Sequence, residues 1–97
     1  MTAVVFTKLA LADVEAAQRW YAERSPRTGA LFAREIDRGV AQIAASPASW
    51  PQVSPRLRRY VVRRFPYLML FRVDADGAVL IAAVAHQRQS PALWRQR

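Results

Sequence analysis

The stretch YLMLFRVDADGAVLIAAVA, residues 67–85, decides the fold. Tyr67 to Val73 is strongly apolar and rich in residues that favour strands. Asp74-Ala75-Asp76-Gly77 is a turn sequence, with Gly77 free to take a positive φ. Val79 to Ala85 is a second run that is apolar without alternation. Two apolar runs around a tight turn make a hairpin at the centre of a sheet, buried on both faces.

Working toward the N-terminus, Arg56 to Phe65 mixes β-branched residues, Tyr60 and arginines, and reads as a strand with one wet face. Pro66 separates it from the hairpin. Residues 47–55, PASWPQVSP, carry three prolines and form a loop. Before them come two helical patterns. From Leu9 to Glu23 the residues Leu11, Val14, Ala17 and Tyr21 recur at helical spacing, and Thr7 is placed to cap. Ser25-Pro26 ends this helix. Thr28-Gly29 opens the next, in which Phe32, Ile36, Val40 and Ile43 form an apolar stripe, until Ser46-Pro47 stops it. About four residues join the two helices, which favours an antiparallel hairpin. Ala3 to Phe6 reads as a strand, and Pro91 precedes a short C-terminal helix or tail. The expected fold is α+β in the order β-α-α-β-β-β, with a helix hairpin packed on a mostly antiparallel sheet.

The chain has 97 residues, a length that suits one domain, residues 1–97. With 53% hydrophobic residues it has a core to bury, which excludes an intrinsically disordered chain. Cysteine is absent, so disulfides, thiolate metal sites and thiol nucleophiles are excluded. Three glycines in total exclude a P-loop or dinucleotide fingerprint. No metal-ligand spacing or Ser-His-Asp set is present, and no cofactor is expected. No apolar run approaches the roughly 18 residues of a membrane span. The N-terminal stretch lacks the basic start of a secretory signal, so a cytoplasmic protein is expected.

Charge carries the functional signal. The chain has 15 basic and 7 acidic side chains, a formal net charge of +8. Fourteen of the fifteen are arginine. Residues 1–55 hold six basic and five acidic groups, whereas residues 56–97 hold nine arginines against Asp74 and Asp76. Such asymmetry points to an anionic partner, and the planar guanidinium fork suits phosphate and carboxylate. The arginine cluster is Arg56, Arg58, Arg59, Arg63 and Arg64. Strand alternation sends Arg59 and Arg63 to one face and Arg58 and Arg64 to the other. His86, the one histidine, ends the last strand beside Arg88. Neighbouring arginines disfavour its charged form, which leaves an imidazole able to accept a proton from a 2′-hydroxyl. Trp94, with Arg95 and Arg97, is an aromatic among arginines, a pattern that stacks on bases or anchors a terminal segment. Trp20 and Trp50 are expected as core or loop anchors.

Arg63-Arg64-Phe65-Pro66-Tyr67, then Ala83-Val84-Ala85-His86-Gln87-Arg88, then Pro91 and Trp94, resemble the C-terminal half of the RelE/ParE superfamily of bacterial toxins, often labelled plasmid stabilisation proteins. The helix hairpin and the element order extend the resemblance over nearly the whole chain. The resemblance implies a toxin of a type II toxin–antitoxin module, held in a hetero-oligomer by an acidic antitoxin from an adjacent gene. It also implies one of two targets. RelE-like members cut mRNA on the ribosome with basic residues and a Tyr, whereas ParE-like members inhibit DNA gyrase and are not nucleases. Three RelE-type positions depart here. The Arg that follows the aromatic opening the third strand falls on Leu68, the C-terminal Tyr falls near Leu93, and a basic residue falls on Gln87. Losing one transition-state donor costs about 10²–10³ in rate. The resemblance is therefore closer to the ParE-like branch.

For a gyrase inhibitor the target-binding residues would be Arg58, Arg59, Arg63, Arg64, Arg88, Trp94, Arg95 and Arg97. For a ribosome-dependent endoribonuclease the catalytic residues would be His86, Arg64 and Arg88. An antitoxin would dock on Phe32, Ile36, Val40, Arg59 and Arg63. A third reading is a non-toxic homologue that only binds its antitoxin.

Overall fold

The computed structural model describes residues 2–97. Strand β1 (Val4–Phe6) leads into helix α1 (Lys8–Arg24) and helix α2 (Pro26–Ala45), followed by strands β2 (Arg58–Val61), β3 (Tyr67–Val73) and β4 (Val79–His86). The sheet order is β1-β4-β3-β2, with β1 parallel to β4 and the other pairs antiparallel. The hairpin read from residues 67–85 is its centre. Gly77 takes φ 87° in the connecting turn.

The helices are longer and closer together than their patterns suggest. Thr7 caps α1, its Oγ1 accepting from the Ala10 N–H at 3.0 Å. Ser25 alone joins the helices, where about four residues were expected. Its N–H donates to Tyr21 O and its Oγ accepts from the Thr28 N–H. Pro26 does not delay α2, because the first turn of a helix needs no N–H from it and its fixed φ suits that position. The absence of a side chain at Gly29 permits the tight turn. A Cβ there would lie 2.6 Å from Ala22 Cβ.

The sheet separates two cores. The helices cover one face, where Phe32, Ile36, Ile43, Tyr60, Met69, Phe71, Ile81 and Val84 are buried together. Leu57, Leu70, Ala82, Ala83, Ala85 and Trp94 form a smaller core on the other face. A bulge links the two. Leu70 pairs with Ala83 and Phe71 with Ile81, so Ala82 is an extra residue in β4. Ala82 and Ala83 therefore pack on the same side, and the alternation of β4 shifts past them.

β2 is shorter than the run from Arg56 to Phe65. It stops at Val61, and the Val62 N–H closes onto Tyr67 O at 2.9 Å. Arg64 turns the corner with φ 69°, a left-handed conformation costly for a residue with a Cβ. Burial of Val62 and Phe65 on either side holds it there. The C-terminal segment is a single 3-10 turn, Pro91–Leu93, that lays Trp94 on the smaller core.

Candidate functional site: the basic end of the sheet

Strand β1 pairs with β4 only from Val79 to Ile81. Beyond Ile81 the outer edge of β4 lies open beneath α1, and side chains cap it. Asp13 Oδ2 on α1 accepts from the Val84 N–H at 2.9 Å. Gln89 Oε1 accepts from the His86 N–H at 2.8 Å. Between α1 and this edge runs a cleft of about 490 Å³, walled by Asp13, Trp20, Tyr21, Tyr67, His86 and Gln89. Burial raises the pKa of both Tyr21 and Tyr67, with Tyr21 adding to the effect on Tyr67. Both phenols are therefore neutral donors at physiological pH.

At the mouth of this cleft two turns meet. The Gln87 N–H donates to Pro66 O at 2.8 Å, which ties the Arg63-Arg64 turn to the Gln87-Arg88 turn. The rings of Tyr67 and His86 stand edge to face, 5.2 Å apart. Arg63 and Arg64 on the first of these turns and Arg88 on the second are exposed. The structure thus brings together the turns that carry the three residues of the nuclease reading. It also occupies the base. His86 Nδ1 accepts from the Arg88 N–H at 3.0 Å, so its lone pair is spent on the backbone. The remaining ring nitrogen of a neutral imidazole then carries the proton and donates.

A second cavity, of about 510 Å³, lies at the opposite edge of the sheet. It opens between α2 and β2, and its walls include Arg38, Trp50, Arg59, Tyr60, Val61 and Arg63. Among the described residues, no group of three or more His, Asp or Glu lies close enough to hold a metal ion. No described helix is long and apolar enough to cross a membrane.

Several residues singled out in the sequence prove to be committed elsewhere. Phe32 and Ile36 are 0% and 4% exposed, because the helix stripe covers the chain's own sheet. They offer no surface to an antitoxin, and Val40 is only half-exposed. Trp94 is 7% exposed on the smaller core and presents no face for stacking. Arg58 donates to Trp50 O at 2.7 Å, pinning the proline-rich loop to β2. Arg97 pairs with Asp13 at 2.7 Å. Arg59, Arg63, Arg64, Arg88 and Arg95 are exposed and available. Trp20, expected as an anchor, is 51% exposed, with the Arg24 guanidinium 3.6 Å above its ring. Leu11, expected on the inner face of α1, is also exposed, and Ala10 is buried instead.

Sequence reasoning missed Asp13 and Arg38. Asp13 reads locally as an acid near the start of a helix, where the dipole favours it, and Arg38 as a residue off the apolar stripe of the next helix. Only the packing of α1 on β4 and of α2 on β2 gives them roles.

The chain's relatives agree with this geometry. The family model for the ParE toxin of the type II toxin–antitoxin system parDE matches residues 4–91. A solved chain described as "Chromosomal ParDE TA system from P. aeruginosa" superposes with a TM-score of 0.77 at 21% identity, covering 89% of this chain and 96% of that one. A comparison with curated protein sequences gave no match. The match to the family model spans both helices, all four strands and the basic end of the sheet, and the chain belongs to the ParE toxin family of type II toxin–antitoxin systems.

Proposed function

We propose that this toxin arrests growth by poisoning DNA gyrase and is neutralised by a cognate antitoxin. The observation that carries the choice of target is the state of His86. Its Nδ1 lone pair is engaged by the Arg88 amide, so the one candidate for a general base lacks a free acceptor. Leu68 and Leu93 add no proton donor where the nuclease branch would carry one. The exposed Arg63, Arg64 and Arg88 then serve recognition, binding anionic groups of the target without cutting RNA. Both partners place the protein's action in the cytoplasm. A module of this kind would stabilise the replicon that encodes it.

The test is a supercoiling assay with purified toxin and gyrase. Inhibition with accumulation of cleaved DNA is expected. Full supercoiling activity at micromolar toxin excess, with mRNA cut on programmed ribosomes and protected by His86→Ala, would establish the nuclease reading instead. Normal growth on induction without antitoxin would leave only an antitoxin-binding protein.

A further inference from the structure

We propose that the cavity between α2 and β2 is a receptor for a side-chain carboxylate on an acidic partner segment whose neighbouring residue is apolar. Resting on the toxin–antitoxin reading, this places one contact of the antitoxin on a particular part of the surface.

Three arginines, Arg38, Arg59 and Arg63, line one cavity of about 510 Å³. No carboxylate lines it. Among the described residues, the one acid paired with any of the three is Glu35, which is 3% exposed and lies 3.7 Å from the Arg38 Nε. That long contact engages the Arg38 Nε, whereas Arg59 and Arg63 make no ion pair among the described residues. Like charges gathered around an open cleft raise the local potential and attract a counter-charge from solution. The guanidinium fork binds a carboxylate by two parallel hydrogen bonds, which a single ammonium does not.

Apart from Gln42, the rest of the wall is made by Trp50, Pro51, Tyr60 and Val61. The rings of Trp50 and Tyr60 meet edge to face with centroids 5.0 Å apart. Val61, on the outer edge of the sheet, is 47% exposed beside them. A cavity lined by aromatic rings and by arginines fits a short acidic side chain whose neighbour buries carbon against the rings. That combination is the usual anatomy of a strong contact in a protein interface. A nucleic acid backbone would instead be tracked by a row of cations along an open groove. The antitoxin contacts expected at Phe32 and Ile36 are unavailable, whereas Arg59 and Arg63 gain a shared cavity.

The experiment uses the full chain, labelled with ¹⁵N and observed at its three tryptophan indole N–H groups. The probe is an N-acetylated peptide of alternating leucine and aspartate. Its control replaces every aspartate by asparagine. The Trp50 indole resonance should shift saturably with the acidic peptide, with affinity about tenfold weaker for the control. Arg59→Gln and Arg63→Gln should each weaken the acidic peptide, Arg59→Lys should restore part of the loss, and Arg95→Gln should change nothing. Preserved dispersion of the amide spectrum separates lost binding from lost folding. No response of Trp50, an equal response to both peptides, or displacement of the peptide by an oligothymidine overturns the proposal. Growth arrest is scored separately. A chain that arrests growth but shows no Trp50 response defeats the receptor alone, and a chain that responds but arrests nothing defeats the toxin reading alone.

Discussion

Arg97 and Asp13 are joined by a 2.7 Å contact that ties the C-terminal segment to α1 across the open edge of β4. The same carboxylate oxygen accepts from the Val84 N–H, and Arg97 also reaches Ala82 O at 3.4 Å. One half-buried acid thus caps a strand edge that no strand covers and holds the tail in place. Removing it leaves the Val84 amide without an acceptor and the Arg97 guanidinium with only the longer contact to Ala82 O.

Asp13→Ala is therefore expected to destabilise the fold by about 1–3 kcal/mol. In a chain of this size each kcal/mol lowers Tm by about 4–8 °C. Asp13→Asn keeps an acceptor for Val84 and should lose less. Thermal unfolding of both variants checks this, and an unchanged Tm in Asp13→Ala would show that the capped edge contributes nothing.

Gly39→Ala should cost stability even though alanine favours a helix by about 1 kcal/mol over glycine. A Cβ at this position would sit 2.7 Å from Met69 Sδ and 2.8 Å from Tyr60 Cε2. The thioether has room to rotate. The Tyr60 ring is 4% exposed and wedged against Trp50, so α2 must move off the sheet. Overpacking of this kind costs about 1–3 kcal/mol. A lower urea midpoint at unchanged slope is the expected result, and a higher midpoint would mean that α2 gives way freely.

Glu35 is a buried acid whose Oε1 has no hydrogen-bond partner, with only the exposed Arg38 at 3.7 Å. Desolvating a charge with so little return is expensive. Glu35→Met should therefore leave stability unchanged or raise it, by up to about 4 kcal/mol. A large loss on chemical denaturation would show that the carboxylate has a partner in solution.

Alkaline stability should follow the two phenols in the cleft. Burial raises the pKa of Tyr21 and Tyr67 above the ordinary 10.0. The unfolded chain then releases these protons at lower pH than the folded one, so stability is intact below about pH 10 and falls as pH rises beyond it. Tyr67→Phe should flatten that decline. Denaturation midpoints measured across this range are the check, and identical slopes for the variant and the parent chain would contradict it.

Much of the fold is legible in the sequence because its determinants are local. The apolar runs in residues 67–85 and the intervening turn specify a central hairpin whatever surrounds them. Phe32, Ile36 and Ile43 recur at the helix period, and that period alone marks one face of α2 for burial. Charge counting likewise locates the arginine excess after residue 55. The helix connection is shorter than its pattern suggests because proline is a breaker within a helix but a good first residue of one. Ser25 closes one helix and opens the next within a single residue.

The site is another matter, because availability depends on contacts between distant positions. Sequence patterning places Arg58, Arg59, Arg63 and Arg97 in one basic region, and strand alternation sets only Arg58 apart from Arg59 and Arg63, without saying which are free. Tertiary structure spends Arg58 on Trp50 and Arg97 on Asp13, 84 positions away. It leaves Arg59 and Arg63 free and adds Arg38 to them from a helix. The bulge at Ala82 likewise turns the Val84 amide toward Asp13. Periodicity and composition are sums over neighbours in the chain, so the sequence by itself determined the layers, the order of elements and the sign of the surface. Which guanidiniums still face a partner is a matter of pairwise geometry across the sheet, and only folding brings those pairs within hydrogen-bond reach.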